Sequence, residues 1–479
     1  MAPAKKPAST LPHFTRCNSS IHGTAFYGAQ CAQITLQSPS GSTTLNILRA
    51  RALSTPQNNP LIVITGGPGT SAVSLAWQYL GFFSDVQKER DILFIDQRGT
   101  GKTQPFTCAA AGDSHPQWPQ QQQIAHIHST LEQCAKEYSA QALIHINTMQ
   151  AAHDIEAVRQ ALGYDSLNLW GSSYGTRVAM AYQHQYPATA RTVILDGVAP
   201  AAIALPRYAE YDAGIALKNL FEACTKQPQC SHAFGDLASV WQQLLKDLTG
   251  KPVQASFSHP RTTKVTPVTV TAARVANWVR FALYSRELAA LLPLAIQQAG
   301  EGHFTYLANL AQAASDSVQS GMHYGMHAAI LCAEDRHAPP IARQNISSLA
   351  HMPFAALNDL SPICHTLQTI SPPPDLFAPI NSAIPTLVLS GHFDPVTPAF
   401  WGEWASQQMS NSRHIIIEGG HHGVSSLGCI PELMARFIEL GSHIALDTRC
   451  AQTIKPVHFF INAAGPALRS GSSYQKAQP

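Results

Sequence analysis

Ser173 stands at the centre of Gly171-Ser172-Ser173-Tyr174-Gly175, a G-x-S-x-G string. The apolar run Leu167-Asn168-Leu169-Trp170 precedes it, and a helix-compatible run at 176–186 follows. Strand, sharp turn and helix in that order hold a serine hydroxyl exposed on a strained turn, and small neighbours let strand and helix approach. A serine needs a base to take its proton and an acid to orient that base. Two later strings supply these types. Gly391-His392-Phe393-Asp394-Pro395 follows the apolar run ending at Ser390. Gly419-Gly420-His421-His422-Gly423 follows the run ending at Ile417. Acyl transfer through Ser173, Asp394 and His422 is the chemistry this order allows.

Each assignment has a local rival. Ser172 adjoins Ser173, but only Ser173 lies centrally between Gly171 and Gly175. His421 adjoins His422, and His422 is preferred because Gly423 follows it and it stands one residue further from the strand end. Asp196, after Leu195, is a second candidate acid. An oxyanion needs backbone donors near the serine. The N–H of Tyr174 is one. The other comes from Gly66-Gly67-Pro68-Gly69, after the run at 61–65, where small residues bring the backbone close. Gly101-Lys102-Thr103 lacks the glycine five residues earlier that a phosphate loop requires, so no nucleotide site is expected.

These residues need a scaffold. Strand-like and helix-like segments alternate from about residue 32 to 200. Strands are expected at 34–36, 44–50, 61–65, 91–95, 167–170 and 192–195, with an amphipathic helix at 148–162. That alternation describes an α/β protein with a mostly parallel sheet covered on both faces. Every candidate catalytic residue follows a strand's C-terminal end, where open α/β sheets bind ligands. From about 202 to 370 the pattern turns helical, although 265–270 has strand character. The Pro-rich stretch Ser371-Pro372-Pro373-Pro374 then leads back to strands at 386–389 and 414–417 and a helix at 430–440. The expected units are an N-terminal extension (1–30), a first core half (31–201), a helical insertion (202–375), a second core half (376–464) and a polar tail (465–479).

Composition narrows the partners. The chain has 479 residues, 45% hydrophobic and only 13% charged, with net charge +2 and no basic block, so nucleic acid is not an expected partner. No apolar run reaches the ~18 residues needed to cross a membrane. The ten cysteines contain no C-x-x-C, which argues against zinc or thiol redox chemistry. No metal and no cofactor are expected. Most have a close neighbour: Cys17 and Cys31, Cys108 and Cys134, Cys224 and Cys230, Cys332 and Cys364, Cys429 and Cys450. Short-range disulfides in an oxidising compartment fit this usage. Residues 1–12 do not read as a signal peptide. The expected location is periplasmic or secreted, with the signal removed or replaced, and cytoplasmic is the alternative.

Gly66-Gly67-Pro68-Gly69, Asp96-Gln97-Arg98-Gly99-Thr100-Gly101, Gly171-x-Ser173-Tyr174-Gly175, Leu195-Asp196-Gly197 and Asp394-Pro395-Val396-Thr397-Pro398 together resemble the prolyl aminopeptidase family of α/β hydrolases. The nearest branch is the long, exported one that includes tripeptidyl aminopeptidases. The resemblance covers about residues 17–450. It implies an α/β-hydrolase fold with a helical cap, Ser173 as nucleophile, Asp394 as acid, His422 as base, and Gly67 and Tyr174 as oxyanion donors. Thr65 departs from the family's usual histidine before Gly-Gly-Pro-Gly. The implied substrate is a peptide with a free N-terminus, and a small ester is the alternative. The family holds the α-ammonium with cap carboxylates. Glu334 and Asp335 are the first candidates for that role here, ahead of Glu210 and Asp212.

Overall fold

The computed structural model describes residues 12–466 except 18–19, 22–23, 26–27, 39–40, 113–114, 259–261, 319–320, 342–350, 355–359, 368–371 and 373. Most of the expected extension and tail, and Ser371 and Pro373 of the Pro-rich stretch, lie outside the described residues.

Among the described residues, nine strands form the central sheet: β1 (Thr15–Arg16), β2 (Ala29–Ser38), β3 (Gly41–Ala50), β4 (Leu61–Ile64), β5 (Ile92–Ile95), β6 (Leu167–Ser172), β7 (Ala190–Asp196), β8 (Thr386–Gly391) and β9 (Ser412–Ile417). Their order across the sheet is β1-β2-β3-β5-β4-β6-β7-β8-β9. From β5 through β9 all neighbours are parallel. The first three strands pair antiparallel, and β3 also runs antiparallel to β5. Two residues separate β2 from β3 in sequence, far fewer than a parallel crossover needs. One edge of the sheet is therefore antiparallel and the rest parallel, the mostly parallel sheet expected from the sequence.

Alternate side chains of these strands feed two cores. Ile62, Ile64, Leu93, Leu169, Leu195 and Val388 point into one layer. Leu61, Val63, Phe94, Trp170, Ile194 and Leu389 point into the other. Burial on both faces explains why these strands read as continuous apolar runs. The helices Thr148–Leu162 and Ile430–Leu440 have the bounds their periodicity indicates.

Between β7 and β8 the chain leaves the sheet. Among the described residues its regular elements there are helices and one antiparallel hairpin, Val253–Ser258 with Val265–Val270. Its helices, among them Leu205–Lys226, Leu237–Leu248, Ala272–Ala282 and Thr305–Val318, enclose a separate core built on residues such as Trp241, Leu292 and Leu307. Tyr324–Ala333, by contrast, packs into the sheet's own core through Met326 and Ile330. Five disulfides join each cysteine to its sequence neighbour: Cys17–Cys31, Cys108–Cys134, Cys224–Cys230, Cys332–Cys364 and Cys429–Cys450.

Candidate active site

Ser173 joins β6 to the helix Tyr174–Gln185 with φ 54° and ψ −124°. A non-glycine residue rarely adopts that conformation, and it persists only where its surroundings enforce it. Those surroundings are visible. Ser173 N–H donates to the carbonyl of Asp196 at 2.9 Å, and its own carbonyl accepts from the N–H and hydroxyl of Thr176. A Cβ on Gly171 would strike the backbone of Gly175, and one on Gly175 would strike the carbonyl of Ile64. Glycine at both positions is thus required by the packing of helix against strand.

Asp394 follows β8 and is fully buried. Its Oδ1 accepts the N–H groups of Val396 and Thr397, both at 2.8 Å, and its Oδ2 accepts the Thr397 hydroxyl at 2.7 Å. The Asp-Pro-Val-Thr string therefore wraps its own carboxylate. His422, after β9, donates from Nδ1–H to Oδ2 at 2.9 Å and to Oδ1 at 3.0 Å. The proton on Nδ1 leaves Nε2 as an acceptor. Burial opposes the charged imidazolium most strongly, but the Asp394 charge and hydrogen bond, with the Asp196 charge, together outweigh it and raise the His422 pKa above the ordinary imidazole value. Burial likewise works against the ionised carboxylate, yet His422 and the Thr397 bonds hold Asp394 below the usual range. Gly197, at φ 66°, fits between them: a Cβ there would stand 3.1 Å from Thr397 Oγ1 and 3.5 Å from His422 Cε1.

Of the three rivals, Ser172 lines the same cavity as Ser173, whereas His421 and Asp196 are bonded elsewhere. His421 is buried, donates Nδ1–H to the carbonyl of Leu283 at 2.7 Å and stacks on Phe393. Burial lowers its pKa to about 4, so it stays neutral in ordinary buffers. The carboxylate of Asp196 accepts the N–H groups of Val424 and Ser425 and the Ser425 hydroxyl. It anchors the loop that carries His422, and burial raises its own pKa.

The Gly66-Gly67-Pro68-Gly69 loop lies against the serine. A Cβ on Gly66 would stand 2.8 Å from Ser173 Cβ. Tyr174 opens its helix, where the first N–H groups have no intrahelical partner. Two histidines before and within Tyr324–Ala333 brace the loop. His323 donates Nδ1–H to the Gly69 carbonyl and accepts Gly101 N–H at Nε2, and His327 donates Nδ1–H to the Pro68 carbonyl. On the other side Asp96 accepts from Asn46, Ser71, Val73 and Lys102, which ties the Asp-Gln-Arg-Gly loop to its neighbours. Neither histidine carries a local signal, since the contacts join residues more than 200 positions apart.

Glu334 and Asp335 do not reach the serine's cavity. Both are buried, and both bind Arg177 Nη1, at 2.9 and 2.7 Å. Glu334 also accepts the N–H and hydroxyl of Thr148, and Asp335 accepts Leu205 N–H. Their carboxylates are engaged in fastening the helical region to the sheet and are not free for an ammonium group. Asp212 is buried and accepts Trp401 Nε1. Glu210 is half-buried, and neither it nor Asp212 lines the cavity.

That cavity, about 1350 Å³, is lined by Gly66, Gly67, Ser173 and His422 on the sheet side and by residues of the helical region on the other. It is large enough for a short peptide. No group of three or more His, Cys, Asp or Glu suited to a metal ion occurs among the described residues.

A family model described as alpha/beta hydrolase fold matches residues 59–426. Serine protease Hip1 of Mycobacterium tuberculosis (strain ATCC 25618 / H37Rv) is 26% identical over 477 residues, covering 91% of this chain and 90% of its own. Tripeptidyl aminopeptidase of Streptomyces lividans is 29% identical over 151 residues, 29% of this chain and 28% of its own. Among solved structures, proline iminopeptidase of Mycobacterium smegmatis covers 85% of this chain and 98% of its own, with TM-score 0.40 and 16% identity. The family match begins before the Gly66 loop and ends after His422, and the chain belongs to the alpha/beta hydrolase fold family.

Proposed function

We propose that this protein is a serine exopeptidase that cleaves short peptides near a free N-terminus. The observation that carries the reading is His422, bonded through Nδ1 to buried Asp394, on the wall of the same cavity as Ser173. Ser173 Oγ attacks the scissile carbonyl as His422 Nε2 takes its proton. The N–H groups of Gly67 and Tyr174 receive the oxyanion. The protonated His422 then gives its proton to the leaving amine, and a water, deprotonated by the same nitrogen, hydrolyses the acyl-enzyme. The peptidase direction is supported by the names of the relatives, serine protease Hip1, tripeptidyl aminopeptidase and proline iminopeptidase. Five disulfides support work in an oxidising compartment, periplasmic or extracellular.

A second reading, hydrolysis of small esters, is favoured by one observation. Asp196 is the one carboxylate among the described lining residues, and its oxygens are already bonded. The discriminating experiment compares peptide p-nitroanilides with free and acetylated N-termini and p-nitrophenyl esters. An aminopeptidase loses most of its activity on the acetylated peptides. Equal rates on both peptides, or turnover of esters alone, would move the assignment to the second reading.

A further inference from the structure

The cavity wall opposite the serine is cationic. Lys264, Arg274 and Arg280 line it, against Asp196 as the one carboxylate of the described lining. Lys264 is exposed. Arg274 is spent on backbone, since its guanidinium donates to the carbonyls of Pro116, Trp118 and Thr269. Arg280 is different. It forms no ion pair among the described residues. Its Nη2 donates to the hydroxyl of Tyr284 at 3.1 Å, and its Nε is buried without a partner.

The surroundings of Arg280 hold it in place without neutralising it. Its Cζ lies 5.2 Å from the ring centre of Phe354, 5.5 Å from that of Tyr284 and 5.8 Å from that of Phe281. Aromatic faces attract a guanidinium and restrict its motion, but they take none of its in-plane N–H donors. Asn277, one turn earlier on the helix Ala272–Ala282, also lines the cavity, and its Oδ1 is buried without a partner. A polar row of Asn277, Arg280 and Tyr284 thus faces the space above the serine.

That row is close to the reacting groups. The ring of Tyr284 packs edge-on against His422, with centroids 5.2 Å apart. The positive charge of Arg280 reaches both His422 and His327, and it disfavours the protonated form of each. His327 is itself bonded to the Pro68 carbonyl, so the charge of Arg280 is felt both at His422 and at a residue bracing the Gly66–Gly69 loop, in the cavity that Ser173 also lines. Leaving a cation half-buried with unsatisfied donors is costly. A carboxylate presented by a substrate would satisfy the fork with two parallel bonds.

We propose that Arg280 is a substrate-binding residue that receives a carboxylate of the peptide, so that the enzyme prefers short peptides bearing a negative charge near the scissile bond. The proposal rests on the reading of Ser173, His422 and Asp394 as the reacting centre. The carboxylate comes either from the free C-terminus of a short peptide or from an acidic side chain. Both present the same group to the same fork.

The test compares kcat/KM for tetra-alanine as the free acid, tetra-alanine C-terminal amide, and Ala-Ala-Ala-Glu amide. The native enzyme should favour at least one anionic peptide over the neutral amide by about 10- to 100-fold, the range of a charge-assisted hydrogen bond. Preference for the free acid alone identifies the C-terminus as the source, and preference for the Glu peptide identifies the side chain. In Arg280→Gln the ratio of anionic to neutral kcat/KM should collapse towards one. In Arg280→Lys it should fall partway, because the charge remains and the fork does not. The ratio is internal to each variant and so independent of how much active protein is obtained. A native enzyme with no preference, or an unchanged ratio in Arg280→Gln, would overturn the proposal. Loss of the whole reading is separable: there, Ser173→Ala would hydrolyse the neutral amide as fast as the native enzyme.

Discussion

Asp196 binds the nucleophile's turn to the histidine's loop: its carbonyl accepts Ser173 N–H at 2.9 Å while its carboxylate accepts Val424 N–H and Ser425 N–H at 2.9 Å. The last residue of β7 thereby ties the turn of Ser173 to the loop of His422, the two groups that exchange a proton in the proposed mechanism. The carbonyl survives any substitution, whereas the carboxylate does not. Asp196→Ala should lower kcat by about 10- to 100-fold with a smaller change in KM, because misplacement of a reacting group acts chiefly on the chemical step. It should also cost about 1–3 kcal/mol of stability through the buried donors left unpaired. Asp196→Asn keeps one acceptor oxygen and should recover part of both. Steady-state kinetics with urea unfolding checks this, and native kcat in Asp196→Ala would contradict it.

Activity should rise with pH through a single limb governed by His422. In the proposed mechanism the neutral imidazole is the base, so protonation abolishes attack, and the Asp394 charge and hydrogen bond raise the pKa at which this happens. The midpoint of kcat/KM should therefore lie above ~6.5, the ordinary imidazole value. Asp394→Asn removes the charge and should move the midpoint down, alongside a large fall in rate. His421, with its pKa lowered to about 4 by burial, should contribute nothing to this limb. A midpoint below 6.5 in the native enzyme would count against the His422–Asp394 pairing.

Glu334 and Asp335 invite a test that separates two roles. Each is nearly inaccessible and bound to equally buried Arg177. Removing one carboxylate leaves a buried guanidinium short of its partner, so Glu334→Gln and Asp335→Asn should each cost about 3–5 kcal/mol of unfolding free energy. KM for free and acetylated peptides should move together in whatever enzyme folds. A selective rise in KM for free N-termini, at unchanged stability, would instead restore them as ammonium ligands.

The disulfides should be structural. Cys332–Cys364 closes 32 residues and fixes the helix Tyr324–Ala333, which carries His327. The Cys332→Ser, Cys364→Ser double variant should lose about 2–4 kcal/mol. Dithiothreitol should lower the melting temperature of the native protein and leave little further effect on that bridge's contribution in the variant. A melting temperature insensitive to reductant would argue against the bridges as stabilising elements.

Much of the scaffold was legible because it is written locally. The strands at 61–65, 91–95 and 386–389 announce themselves as apolar runs, since each is buried on both faces, and the helices at 148–162 and 430–440 by their 3.6-residue period. The motif residues were legible for the same reason: Gly175 must be glycine to let the helix approach Ile64, and Asp394 is wrapped by the three residues after it. What escaped depends on distant partners. Glu334 and Asp335 looked like a free acidic pair because Arg177 stands more than 150 residues away. The hairpin at 253–258 and 265–270 was only half visible, because residues 253–258 are mostly exposed and lack an apolar run. Arg280 and Tyr284 belong to no motif, and only the approach of Tyr284 to His422 gives them meaning.

The most direct measurement is covalent labelling. Incubation with a fluorophosphonate, followed by intact mass and peptide mapping, should give one adduct on Ser173. Labelling should be absent in Ser173→Ala and slowed at least 100-fold in His422→Ala, which lacks the base. An adduct that persists in Ser173→Ala, or native labelling that proceeds at full rate without His422, would contradict the assignment of this serine and histidine as the reacting pair.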